Sequence, residues 1–231
     1  MSEHRAVGKK SARRGRGAGV AVATGTALVA IVIGTQPAAA HAGTGAANRS
    51  AAVSTAAAEP GLGSGSLMQS EDFFQQGLTP VSATVDLTGK QALSACSGEQ
   101  TMRALTKGKA AAYADVAWRF DSDGTSLTES AAEGSTAASA TTYEKQLNAV
   151  VRDCQDEPAG HWYYGKAHTI TVQAGAGTWY SSYNGDGKVA GGVAVIRSGQ
   201  KVGIVELTGQ PSDDAGYMAG IAAGALNRLA R

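Results

Sequence analysis

The sequence predicts an α+β domain in which helices pack on a central antiparallel β-sheet. Three observations point there. Val81, Ala83, Val85 and Leu87 alternate with polar residues, the period of two that a half-buried strand requires. Two longer stretches, one opening at Ser135 and one at Ser212, repeat their apolar residues at helical spacing instead. Short turns rich in Gly, Asp and Ser, at Asp121–Gly124 and Ser198–Lys201, join successive strand segments as hairpins do.

Taken in order, the folded region opens at Leu67 with a short amphipathic helix through Phe74, stopped by Gly77, and the strand Val81–Leu87 follows. Glu99–Leu105 reads as a helical turn or two. In the strand Ala110–Phe120, residues Ala114, Val116, Trp118 and Phe120 share one face, and Tyr113, Asp115, Ala117 and Arg119 the other. The turn at Asp121–Gly124 leads back into the strand Ser126–Ala132. Ser135 is the expected N-cap of a helix whose core stripe is Ala140, Tyr143, Leu147, Val150, Val151 and Cys154. Pro158-Ala159-Gly160 ends it. Strands are expected over Trp162–Val172, Thr178–Tyr183 and Val189–Arg197, and the last turns through Ser198–Lys201 into Val202–Leu207. Ser212 is the expected cap of the final helix, with Asp213 and Asp214 in its first turn, Arg228 and Arg231 at its end, and Tyr217, Ile221, Leu226 and Leu229 facing inward.

Ahead of this domain, residues 1–42 have the three parts of a secretory signal: a basic stretch ending at Arg16, the apolar run Ala18–Gly34, and small residues after Pro37. Cleavage after Ala40 or after Ala42 satisfies the small-residue rule, and the alternative is an uncleaved anchor. Residues 43–66 are dominated by Ala, Gly, Ser and Thr; they bury too little apolar surface to offset ordering entropy and read as a disordered linker. The domain itself spans 67–231. Removing the six basic residues and one acid of 1–42 from totals of 20 and 19 leaves 14 and 18, a net charge of −4. A mildly acidic domain without a basic cluster is a poor nucleic-acid binder, and no nucleic-acid partner is expected. Cys96 and Cys154 are the only cysteines, and in an exported chain they are expected to form a disulfide.

The chemistry-bearing residues are few. Asp121-Ser122-Asp123-Gly124 and Asn184-Gly185-Asp186-Gly187 resemble the start of calcium loops, but the twelfth position, where a distal Glu is needed, falls on Ala132 and on Val195. They read as turns, and no metal site or cofactor is expected. His161 and His168 stand seven apart on a strand-like segment and face opposite ways, and no nucleophile motif accompanies them. The aromatic residues Trp162, Tyr164, Trp179 and Tyr183 crowd into two strands and are the expected lining of a ligand groove, with Arg119 or Arg197 supplying a cation.

The order of these elements resembles the PknH-like extracellular sensor domain family. Leu67–Asp72 is similar to that family's opening helix, Cys96-Ser97-Gly98 with Ala112-Tyr113-Ala114 to its first cysteine and following strand, and Ser135–Cys154 to its Ala-rich helix ending in a cysteine. Val195–Val205 resembles its late hairpin, and Ala215–Arg231 its final helix. The resemblance implies a sensor-type α+β domain with a cleft for an unidentified ligand. Members commonly carry four cysteines in two disulfides, whereas this chain has one pair.

The resulting expectation is a secreted or cell-wall-associated, non-catalytic sensor-type domain. Its partner would be an extracellular small molecule or envelope fragment, or an envelope protein, with no nucleic acid and no membrane contact except through an uncleaved leader. The alternatives are a cell-envelope hydrolase using His161 or His168 as general base, and a protein–protein interaction module.

Overall fold

The computed structural model describes residues 62–93, 97–122, 124–158, 160–173, 175–209 and 211–231. The leader, most of the linker, Cys96, Asp123 and Ala159 lie outside the described residues. Eight antiparallel strands form one sheet: β1 (Pro80–Asp86), β2 (Ala112–Phe120), β3 (Ser126–Glu133), β4 (Tyr163–Tyr164), β5 (His168–Val172), β6 (Gly175–Tyr183), β7 (Val189–Ser198) and β8 (Lys201–Thr208). Their order is β1-β2-β3-β8-β7-β6-β4, with β5 also paired to β6. Four α-helices pack on it: α1 (Ser70–Phe74), α2 (Met102–Leu105), α3 (Ala137–Arg152) and α4 (Tyr217–Leu229). None of the described helices is long and apolar enough to cross a membrane.

Strand alternation divides the side chains between two cores. On one face Val116, Leu127, Val205, Ile196 and Trp179 pack against α1 and α4 through Phe73, Met218, Ile221 and Leu226. On the other, Tyr113, Ala132, Val202, Ile204, Val195 and Tyr180 meet α2 and α3 through Met102, Tyr143, Leu147 and Val151. The stripe read from the sequence is the buried side of α3, and Ile221, Leu226 and Leu229 are buried on α4. Each such aliphatic or aromatic side chain contributes about 1.5–3 kcal/mol on full burial.

Several boundaries differ from expectation, each for a local reason. α1 begins at Ser70, because the Asp72 carboxylate accepts the Gln69 N–H at 2.8 Å and fixes the cap there. Leu67 and Met68 precede it and are buried, and Leu62 is buried as well, so packed chain begins inside the stretch read as linker. Two carboxylates of β3 hold this segment: Glu133 accepts the Leu62 N–H at 3.2 Å and Glu129 accepts the Met68 N–H at 2.7 Å. α3 is capped by Thr136, not Ser135; Thr136 and Ser139 exchange side chain–backbone hydrogen bonds at 3.1 and 3.0 Å. α4 starts late because Ser212 and Asp214 spend their side-chain oxygens on the N–H groups of Asp214 and Gly216, two residues on. Arg228 does not sit in solvent at the end of α4. It is buried, donating to Asp72 at 2.7 Å and also to Glu71.

The expected strand Trp162–Val172 is two strands. Gly165 donates its N–H to Ser181 O at 2.8 Å, and a Cβ there would lie 2.7 Å from the Tyr183 ring. The chain therefore steps away at Gly165 and returns at His168 to pair with an earlier part of β6.

Candidate functional site: the open quadrant of the sheet

α3 lies over β7 and β8, and α2 reaches β3. α2 also covers Tyr113 at the start of β2, but no described helix covers the same face of β1, residues 117–119 of β2 and the start of β3. Register fixes what this area presents. One cross-strand row is Thr84, Ala117, Thr128 and Glu206; the next is Ser82, Arg119, Ser126 and Thr208. Adjacent strands are about 4.8 Å apart, so each row runs roughly 14 Å. The residues Ser82, Thr84, Ala117, Arg119, Ser126 and Thr128 line a depression of about 380 Å³.

The margins of the depression are built differently from its floor. At one end the segment around Gly89 and Gln91 folds over Asp115, which is fully buried. Neither carboxylate oxygen of Asp115 has a partner in hydrogen-bond geometry, although the Ser130 hydroxyl and the N–H groups of Gln91 and Gly89 lie near. Burial pushes the Asp115 pKa up, and these neighbours offset part of that rise. Towards β8 the floor is closed by Tyr164, whose hydroxyl donates to the buried Glu206 carboxylate at 2.8 Å. Trp162 packs its ring edge-on against Tyr164, with centroids 4.6 Å apart. Ser126 and Thr208 hydroxyls are paired at 2.8 Å.

The floor is therefore a field of short hydroxyls with a single cation. Arg119 is exposed and forms no ion pair among the described residues. A planar guanidinium beside hydroxyls suits a carboxylate or phosphate carried on a polar, hydroxyl-bearing molecule.

The six residues expected to line a site do not share one surface. Arg119 is on the open floor, whereas Tyr164 is buried in the core beneath α3 with Trp162 packed on it. Arg197 lies on the same face under α3, where Glu144 accepts from its Nε at 2.7 Å, so its charge is already matched. Trp179 is on the opposite face, in the core beneath α4, with His168 stacked on it at 4.2 Å. Tyr183 stacks on Tyr163 at 5.3 Å, also on the α4 face by register. The cause is the period of two: Trp179 and Tyr180 are neighbours in β6 and must point opposite ways. The histidines are separate as well. His161 is exposed with Glu157 3.4 Å away, and His168 belongs to the Trp179 stack.

Sequence reasoning missed the floor itself. Its signal was present as hydroxyl residues at every second position, Ser82 and Thr84 in one strand and Ser126, Thr128 and Ser130 in another. Such a pattern also describes any solvent face. Only the placement of the helices distinguishes a covered polar face from an open one.

No protein-family model matches the sequence, and no curated protein matches it. Among solved structures, the chain is similar to the crystal structure of the extracellular domain of PknH from Mycobacterium tuberculosis, at 13% identity and a TM-score of 0.49, covering 71% of this chain and 92% of that one.

Proposed function

We propose that this chain is a secreted or cell-wall-associated, non-catalytic sensor-type domain that takes an extracellular ligand onto the open quadrant of its sheet. The observation that carries the reading is the floor of hydroxyls around Arg119, a cation without an ion pair among the described residues, on a part of the sheet that no described helix covers. Ligands of the fitting class are anionic, hydroxyl-bearing envelope fragments and small molecules. Tyr164 is buried and its hydroxyl holds Glu206 at the β8 side of the floor, with the partly exposed Trp162 packed on it.

Tryptophan fluorescence of the purified chain, titrated with fractionated envelope sugars and peptides, tests this. A saturable shift is expected for an anionic fraction. Arg119→Ala lowers its affinity tenfold or more, while Arg197→Ala leaves it within twofold because Glu144 already occupies that guanidinium. A flat response from a folded chain, or equal losses in both variants, would remove the reading.

Export and the disulfide belong to the same proposal. Cys154 is buried just after α3, and its pairing with Cys96 would close a loop worth about 4 kcal/mol in the chain-entropy model. Intact mass of the chain recovered from culture medium is expected to show the leader gone after Ala40 or Ala42. It should also show two hydrogens fewer than the reduced chain. A thiol-reactive label that modifies the native chain at both cysteines contradicts the pairing.

A further inference from the structure

α3 divides one face of the sheet. It lies over β7 and β8, so β1, β2 and β3 with Arg119 are on one side of it and β6 with β5 on the other. On that second side Lys145, Asn148 and Arg152 of α3 and Thr169, Thr178 and Tyr180 of the strands line a depression of about 350 Å³. Thr169 and Thr178 are partners across the β5–β6 pair, and the alternation of β6 puts Tyr180 on the same face. Seven residues make about two helical turns, so Lys145 and Arg152 stand on one side of α3, roughly 10 Å apart along its axis, with Asn148 between them.

The charges around this depression are unmatched. Lys145 and Arg152 are exposed and form no ion pair among the described residues, and no Asp or Glu lines the depression. Glu144, beside Lys145 in the chain, already accepts from Arg197. Asn148 is engaged as well: its amide donates to Glu144 O at 3.0 Å, and its oxygen accepts from the Tyr180 hydroxyl at 3.4 Å. Burial raises the Tyr180 pKa and the Arg152 charge offsets part of that rise, which places the guanidinium close to this floor. Two cations over one hollow, in a domain of net negative charge, repel each other until an anion comes between them.

We propose that this depression is a second ligand site, separate from the Arg119 floor, and that it binds a dianionic phosphate group, free or as the monoester of a small molecule. Such a phosphate brings two charges to the two cations. Its terminal oxygens meet the planar fork of Arg152, the ammonium of Lys145 and the hydroxyls of Thr169 and Thr178. A carboxylate has a single charge and two oxygens, and leaves one cation unmatched. A phosphodiester, also singly charged, falls short in the same way. The site goes beyond the sensor reading and stands without it, because it shares no residue with the floor around Arg119.

Calorimetric titration of the purified chain at about pH 7.5 and low ionic strength tests it, with inorganic phosphate and glycerol 2-phosphate as probes and acetate and dimethyl phosphate as comparisons. The expected result is saturable binding of a phosphate probe, at least about tenfold tighter than either singly charged comparison. Tighter binding of the ester assigns a phosphorylated small molecule, and tighter binding of inorganic phosphate assigns the free ion. Lys145→Gln and Arg152→Gln change exposed positions, so both should melt like the parent, and each is expected to lower the affinity about tenfold. Arg152→Lys keeps the charge without the fork and should recover only part of that loss. Lys188→Gln, exposed in the turn between β6 and β7, is expected to stay within twofold of the parent. Heats that saturate with neither phosphate probe overturn the proposal, as does binding that survives Lys145→Gln and Arg152→Gln and so lies elsewhere. An equal loss in Lys188→Gln, or acetate binding as tightly as phosphate, overturns it too.

Discussion

Raising the pH from about 4.5 to about 8 is expected to weaken this fold by on the order of 5 kcal/mol at one side chain, Glu129. Glu129 is fully buried on the α4 face of β3, and burial pushes its pKa from 4.5 up to about 8, with the nearby Asp72 charge adding to the rise. The Met68 N–H donated to one carboxylate oxygen works in the opposite direction, as does the Arg228 charge, and the other oxygen has no partner. The sign follows from proton counts. Between pH 4.5 and 8 the folded chain keeps a proton that the unfolded chain has released, so stability falls as pH rises and levels off above the folded pKa. Asp115, its pKa also raised by burial, pulls the same way. Denaturant unfolding at pH 5, 6.5 and 8.5 measures this. Glu129→Gln keeps an acceptor for Met68 and abolishes the titration, so it is expected to be near the parent at pH 5 and several kcal/mol more stable at pH 8.5. Parallel stability–pH curves for the two proteins would show that Glu129 titrates normally.

Removing the Arg228 guanidinium is expected to cost about 3 kcal/mol. Its Nε and Nη2 donate to the two oxygens of Asp72 at 2.7 and 3.1 Å, and Nη2 also reaches Glu71. Asp72 is mostly buried, whereas the Glu71 side chain is 64% exposed, so nearly all of the loss comes from Asp72. Asp72 also accepts the Gln69 N–H that caps α1, so one carboxylate ties the cap of the first helix to the end of the last. Arg228→Ala leaves that carboxylate unpaired, and Arg228→Lys, which lacks the fork, should recover only part of the loss. The variant also removes a charge that lowers the Glu129 pKa, so its loss of stability with rising pH should continue to higher pH than in the parent. Urea unfolding of Arg228→Ala, Asp72→Asn and the double variant gives the coupling directly; additive effects would show that the two groups do not interact.

Periodicity carried the fold further than it carried the site. The stripe of α3, the two faces of β2 and the hairpin between β7 and β8 are set by local alternation and turn chemistry, and these can be read along the chain. Boundaries failed where side chains bonded to backbone at short range, as at Asp214 before α4 and Thr136 before α3. Arg228 failed for another reason: it reads as an ordinary helix-end residue until its partner is known, and that partner, Asp72, lies more than 150 positions away. The aromatic cluster failed because Trp179 and Tyr164, close in sequence terms, project from opposite sides of one sheet. What assembled the open quadrant was strand order across β1, β2, β3 and β8, which no window of sequence contains.

The join between β3 and β8 governs how the chain can be assembled in time. β1, β2 and β3 form one meander, and β6, β7 and β8 another, each closed by nearby residues. They meet only along β3 and β8, where Ser126 faces Thr208 across 82 positions of chain. During synthesis from the N-terminus, the free side of β3 therefore has no partner until almost the whole chain has emerged. Closing that seam is slow compared with hairpin formation, because a long loop must be ordered first. The last helix follows immediately, and with it arrives the guanidinium that fastens α1. α1, the first of the described α-helices, is thus among the last parts to be locked, and a chain cut short before β8 keeps two exposed strand edges, on β3 and β7, that would otherwise have been sealed.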